Sequence, residues 1–242
     1  MSGKPIRNVQ PIKCSRKNTK ISIIIPAAKE GNKMKSFGSR SLLDINNEHL
    51  VNYQARILRE EYPHSDIILV TGFESDKVMN KADKNIIKIE NERYNDTNVL
   101  RSIAIGLRAA IYDHVLVVYG DLIFNRQVFD FPIDKSTIVV DGSGFMGESQ
   151  IGCTIIDDSL ENMFYNLGNK WAQVTLLTGK ELKLMKTIAF DKSKEKLFGF
   201  EACNEILNRG GKFACCSPKG MKIMDVDSYK DIDPHRIKDI TC

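Results

Sequence analysis

Ile21-Ser22-Ile23-Ile24-Ile25-Pro26-Ala27-Ala28-Lys29-Glu30-Gly31-Asn32-Lys33 decides the fold. An apolar, β-branched run of this length reads as a strand buried on both faces, and Pro26 stops it. Strands of that kind belong to parallel sheets covered by helices. The next residues are polar as far as Arg40, so a long loop leaves the carboxyl end of the strand. In such sheets, ligands sit beyond that end.

The pattern repeats downstream. Leu50–Tyr62 reads as a helix ending before Pro63, Asp66–Thr71 as a second strand, Glu74–Ala82 as a helix and Asn85–Glu90 as a third strand. From Asn98, apolar residues recur at Leu100, Ile103, Leu107, Ala110 and Ile111, one stripe at helical spacing, with Thr97 or Asp96 as candidate caps. His114–Gly120 is a fourth buried strand. The expected fold is α/β, a doubly wound, mainly parallel sheet of Rossmann-like type. Further on, Ile138–Asp141, Ile151–Ile156, Ala172–Leu177, Lys212–Cys216 and Lys222–Val226 read as strands. Gly179–Ile188, Leu197–Arg209 and a segment from Tyr229 onward read as helices.

The chain has 242 residues and 42% hydrophobic residues, enough for one domain with a sizeable core. The net charge of +4 is uneven. Residues 1–20 carry Lys4, Arg7, Lys13, Arg16, Lys17 and Lys20 and no acid, which leaves 29 basic against 31 acidic residues elsewhere. We therefore expect a basic, flexible arm over 1–20 and a domain over 21–242. The arm is the one place where nucleic acid or an acidic partner could touch; otherwise it is a solvated tail. No apolar run approaches the ~18 residues of a membrane span, and no signal-peptide pattern is present, so no membrane partner and a cytoplasmic location are expected. The six cysteines and four histidines show no zinc-ligand spacing, and reduced thiols are expected.

Three elements could carry chemistry. Gly120-Asp121 comes directly after the fourth strand, where a carboxylate is placed to hold a hard cation or merely to cap a helix. Asp225-Val226-Asp227-Ser228 offers two carboxylates on one strand face, unless Asp227 or Ser228 only caps the final helix. The loop after the first strand offers backbone N–H groups and lysines to a polyphosphate, although it matches neither the Walker pattern nor G-x-G-x-x-G.

The order of these elements resembles the nucleotidyltransferase superfamily, in particular sugar-phosphate nucleotidyltransferases and the small phosphocholine cytidylyltransferase-like branch. Members open with a strand and a signature close to L-A-A-G-x-G-x-R, then a P-K pair. This chain has Pro26-Ala27-Ala28-Lys29-Glu30-Gly31-Asn32-Lys33 and, later, Ser39-Arg40. Asp121 matches the metal Asp after a central strand, and Asp225-Val226-Asp227-Ser228-Tyr229-Lys230-Asp231-Ile232 fits D-x-D-[ST]-x-x-D-[LI]. Asn91-Glu92-Arg93-Tyr94-Asn95-Asp96-Thr97-Asn98 resembles the asparagine-rich segment of the cytidylyltransferase-like branch. Lys29 stands where the family has its first glycine, Lys33 where it has arginine, and Ser39-Arg40 where it has P-K, so the loop is the least orthodox part.

The resemblance implies a nucleotide-diphospho-sugar transferase type of fold over the 21–242 domain, with Mg²⁺ held by Asp121 and Asp227. It implies that Lys33 and Arg40 neutralise the leaving pyrophosphate, and that Ala27, Ala28, Gly31, Lys33, Asn98 and Gly120 bind the nucleotide. Tyr94, Arg101, Trp171 and Glu201 are then candidates for contact with a small phosphorylated acceptor. The donor would be a nucleoside triphosphate, CTP or UTP before the others. Taken on their own, Trp171 also reads as a packing residue, Glu201 as part of a solvated helix face and Arg101 as an ordinary surface residue. A glycosyltransferase of related fold is a rival reading, although its D-x-D lies near mid-chain, not near the end. A non-catalytic nucleotide-binding protein is another.

Overall fold

The structure, a computed structural model, describes residues 16–30, 38–142, 150–227 and 231–241. Its spine is β1 (Ser22–Pro26), whose side chains are all buried and alternate between two cores. Ile23 and Ile25 enter one core and Ile24 the other. After β1 come a two-residue hairpin, β2 (Asp44–Ile45) and β3 (Glu48–His49), and then α1 (Leu50–Glu61). Next are β4 (Asp66–Thr71), α2 (Ser75–Lys81), β5 (Ile87–Glu90), α3 (Val99–Ala109) and β6 (His114–Val118). β5, β4, β1 and β6 pair in that order, all parallel.

The expectation of parallel pairing therefore holds for the first half. The second half is mixed. It contains β7 (Leu122–Phe124), β8 (Thr137–Asp141), β9 (Ile151–Ile156), β10 (Ser159–Tyr165) and β11 (Lys170–Thr178). The helices α4 (Gly179–Ala189) and α5 (Gly199–Asn208) come next, then β12 (Ala214–Cys216), β13 (Ile223–Asp225) and α6 (Pro234–Thr241). β11 runs antiparallel to both β6 and β8 and continues the sheet to β12, β10 and β9. β7 and β13 form a separate antiparallel pair.

Helices cover both faces, as a doubly wound α/β fold requires. The core on one side takes residues from α1 and α6, and the core on the other takes residues from α3, α4 and α5. Helix α3 lies close on β1: a Cβ on Gly106 would stand 2.5 Å from Ile24 Cγ2, so glycine is what permits the approach. Its cap is Asn98, not Thr97 or Asp96; Asn98 accepts from the Val99 N–H at 2.9 Å. Thr97 instead donates to the Arg93 carbonyl at 2.6 Å.

The last described helix is Pro234–Thr241, where Asp233 accepts from the His235 N–H at 2.8 Å and Pro suits a first helical position; Tyr229, expected to open it, lies outside the described residues. Of the arm, Arg16–Asn18 forms a short 3-10 turn on the domain. Arg16 pairs with Asp130 and stands 3.4 Å from the buried Glu61. The tail thus has a docked root. No helix among the described residues is long and apolar enough to cross a membrane. Among the described residues, Cys153, Cys203, Cys215 and Cys216 are buried and unpaired.

Candidate active site

The carboxyl ends of β1 and β6 open into a cavity of about 530 Å³, within the usual range for small-molecule sites. The start of the long loop is fixed by backbone pairing with its neighbours. Ala27 N–H donates to Val70 O at 2.8 Å, and Ala28 O accepts from Phe73 N–H at 2.9 Å. Gly120 N–H donates to Pro26 O at 3.2 Å. A Cβ on Gly120 would stand 2.6 Å from that of Ala27, so the residue before Asp121 must be glycine for the two strand ends to meet.

Asp121 comes from the end of β6, and Asp227 from just past β13. The two chain segments are tied together, since Val226 N–H donates to Asp121 O at 2.9 Å. Both carboxylates converge on one guanidinium nitrogen, Arg40 Nη1, at 2.7 Å from Asp121 and 3.7 Å from Asp227. That nitrogen also donates to Val226 O at 3.3 Å. Asp225, on the same side, pairs with Lys170 at 2.6 Å.

Three carboxylates thus face two cations. Burial raises the Asp121 carboxyl above the ordinary carboxylate range; Arg40 opposes the shift and the Asp225 charge adds to it. Partial burial and the charges of Asp225 and Asp121 move Asp227 in the same direction, although its side chain is 62% exposed. Asp121 Oδ1 is buried without a hydrogen-bond partner.

A buried glutamine supports this arrangement and carries no signal in the sequence. Gln54, on α1, donates from Nε2 to Tyr119 O at 3.0 Å and to Leu122 O at 2.8 Å. These two bonds bracket Gly120-Asp121 and fix the turn that presents the carboxylate. Next to it, the Tyr53 hydroxyl donates to Phe124 O at 2.6 Å.

The opposite wall is aromatic. Trp171 is 5% exposed, meets Tyr119 edge-on with ring centroids 5.4 Å apart, and keeps its Nε1 unpartnered. A break in the register of β11 puts Gln173 in a left-handed conformation between Trp171 and Thr175. Phe198 stacks on Phe200, Tyr165 meets Phe200 edge-on, and Lys29 lies 5.6 Å above the Phe198 ring. The third wall is the asparagine-rich turn. Asn91 is buried and donates to Thr97 Oγ1 and Ser102 Oγ, which fixes the segment that carries Tyr94 and Asn98 into the cavity.

Of the residues singled out in the sequence, Ala27, Ala28, Arg40, Tyr94, Asn98, Gly120, Asp121, Trp171 and Asp227 line this one cavity. Gly31 and Lys33 lie outside the described residues. Two candidate acceptor ligands are placed elsewhere. Arg101 lines a separate groove with Arg93 and Arg108, because it projects from the outer face of α3. Glu201 turns back on its own helix and accepts from the Phe198 N–H at 2.7 Å, capping α5 instead of facing the cavity.

Residues 23–134 match the model of the MobA-like NTP transferase domain. No curated protein matches the chain in sequence. Among solved structures, the chain is similar to the CTP:phosphocholine cytidylyltransferase of Streptococcus pneumoniae (TM-score 0.71, 16% identity, covering 88% of this chain and 95% of that one). It is similar to the inositol-1-phosphate CTP transferase of T. maritima (TM-score 0.74, 14% identity, 90% and 94% covered). It is also similar to a nucleoside-diphosphate-sugar pyrophosphorylase of Vibrio cholerae (TM-score 0.67, 13% identity, 89% and 99% covered). At these identities the likenesses speak for the fold. The family model matches less than half of the chain, and beyond residues 23–134 the likeness is one of fold.

Proposed function

We propose that the chain joins a nucleoside monophosphate, from CTP or UTP, to a small phosphorylated acceptor. The observation that carries this reading is the meeting of Asp121 and Asp227 at one point beside the loop that leaves β1. Such a pair suits Mg²⁺, which is commonly bound through one or two carboxylates plus substrate phosphates. The donor set fits: both groups are carboxylates, and Asp121 Oδ1 has an unused acceptor position. Among the described residues no cage of three or more His, Cys, Asp or Glu ligands forms, so the remaining ligands would come from substrate and water. When bound, the ion supplies charge neutralisation at the α-phosphate.

The chain's own groups do the rest. An acceptor phosphate oxygen attacks the α-phosphorus; the bond from that phosphorus to the bridging oxygen breaks, and pyrophosphate leaves with the electron pair. No protein nucleophile is needed, and positioning dominates. The backbone of Ala27 and Ala28 cradles the nucleotide, and Gly120 keeps the floor low enough for it. Tyr94 and Asn98 face the base from the asparagine-rich turn. Arg40, with Lys33 assigned from sequence alone, takes up charge on the departing pyrophosphate. The acceptor occupies the aromatic end, against Trp171, Tyr165 and Phe200. Phosphocholine and inositol 1-phosphate, after which two of the similar proteins are named, are the first acceptors to try.

The test is an assay of each of the four common triphosphates with Mg²⁺ against phosphocholine, inositol 1-phosphate and a set of sugar 1-phosphates. Pyrophosphate release with a pyrimidine triphosphate, and a product mass equal to acceptor plus nucleoside monophosphate, are expected. Release of UDP from a UDP-sugar without pyrophosphate chemistry would overturn the reading.

A further inference from the structure

Arg40 stands where a cation bridging the two acids would have to stand. Its Nη1 is shared among Asp121 Oδ2, Asp227 Oδ1 and Val226 O, and its side chain is only 17% exposed. Its planar guanidinium offers five N–H donors and no acceptor, so it suits carboxylate and phosphate oxygens alike. We propose that Arg40 is the resident counter-cation of the acid pair and makes divalent-cation binding there conditional on nucleotide. The inference rests on the reading of Asp121 and Asp227 as the cation site.

Alternative partners drive the exchange. Without nucleotide, Arg40 and Lys170 offset two of the three carboxylate charges. A divalent ion entering then meets a guanidinium a few ångströms away and little net negative charge to draw it in. A triphosphate changes this. Its oxygens offer Arg40 a charge-assisted partner on the loop side, and the acids are released as Arg40 turns away.

The anchoring of Arg40 allows such a turn. Its backbone is held in a short 3-10 turn, where Leu42 N–H donates to Ser39 O at 3.0 Å and Leu43 N–H to Arg40 O at 3.1 Å. Ser39 N–H donates to Glu74 Oε2 at 2.8 Å and ties the turn to the start of α2. The side chain can therefore exchange partners while its root stays in place. Ion and nucleotide then bind together, and the acids do not collect free metal.

The experiment measures Mn²⁺ binding to the nucleotide-free full chain by loss of the free-ion paramagnetic resonance signal. The wild type should bind weakly. Arg40→Gln and Arg40→Met should each bind Mn²⁺ at least about tenfold tighter, since a charge beside the site has been removed. Adding Asp121→Asn to Arg40→Gln should cancel the gain, and Arg40→Lys should stay close to the wild type. On the wild type itself, the Arg40 Nε–Hε NMR resonance should shift on adding a non-reactive CTP analogue without metal. That measurement survives any failure of the variants to fold. If Arg40→Gln and Arg40→Met fold and bind Mn²⁺ no better than the wild type, or the resonance does not move, the counter-cation role is wrong. Cation-dependent triphosphate binding by the wild type would then leave the cation-site reading standing. Absence of that binding would overturn both.

Discussion

Asp121→Asn should leave the protein folded and reduce nucleotidyl transfer by at least about three powers of ten, since removing a metal-linked charge forfeits several kcal/mol of transition-state stabilisation. The residue is costly to the empty fold. Burial raises its carboxyl above the ordinary range, and the repulsion from Asp225 adds to what Arg40 only partly offsets. For an acid with a raised folded pKa, stability is greatest when the group is protonated and falls as pH rises through the shifted value. The neutral variant should therefore melt at the same temperature as the wild type or higher at pH 7–8. The difference should close as the pH drops into the ordinary carboxylate range. Loss of activity without loss of stability marks a residue kept for chemistry. Melting curves across pH, set beside turnover, check both halves. A variant that keeps near-normal turnover with Mg²⁺, or that melts well below the wild type at neutral pH, contradicts the assignment.

Gln54→Leu should act in the opposite sense, by destabilising the fold first. Both carbonyls it serves, Tyr119 O and Leu122 O, belong to the turn that holds Asp121. Leucine is near in size and cannot donate. Leaving two buried acceptors unpaired costs roughly 2–4 kcal/mol. In a chain of this length that lowers the melting temperature by about 5–15 °C. Turnover should fall roughly tenfold to a hundredfold because the carboxylate loses its fixed position. Gln54→Glu is the informative companion, since it keeps the shape but removes the donors and adds a buried charge; it should be worse than leucine. A leucine variant with the wild-type melting temperature would show that the turn holds itself.

The parts of this architecture that can be read from sequence share one property: the signal is local. β1 shows itself as an unbroken apolar run, α3 as a single stripe, and Asp121 as an acid directly after a buried strand. β10 does not, because a register shift between Leu160 and Asn162 breaks its alternation and places the buried Leu160 and Met163 three apart. β11 begins at Lys170, earlier than its apolar run suggests, since the left-handed Gln173 interrupts the period. Gln54 is unreadable because a glutamine within an amphipathic helix looks like a surface residue until its partners, more than sixty positions away, are known. Arg101 and Glu201 fall on the helices expected of them; spacing alone does not say which way each turns. Asp121 and Asp227 are legible as a pair, but Arg40 between them is not, because ion pairs to residues 121 and 227, far along the chain, leave no trace in local pattern.

The most direct test of the acid pair as the cation site is a crystal structure of the full chain with CTP and Mn²⁺, using the anomalous signal of manganese to locate the ion. One manganese peak is expected in contact with both Asp121 and Asp227, with the α-phosphate beside it, the base against the turn carrying Tyr94 and Asn98, and Arg40 turned from the acids to the phosphates. Nucleotide bound elsewhere, or Arg40 still bridging the two carboxylates with the ion absent from them, would contradict it.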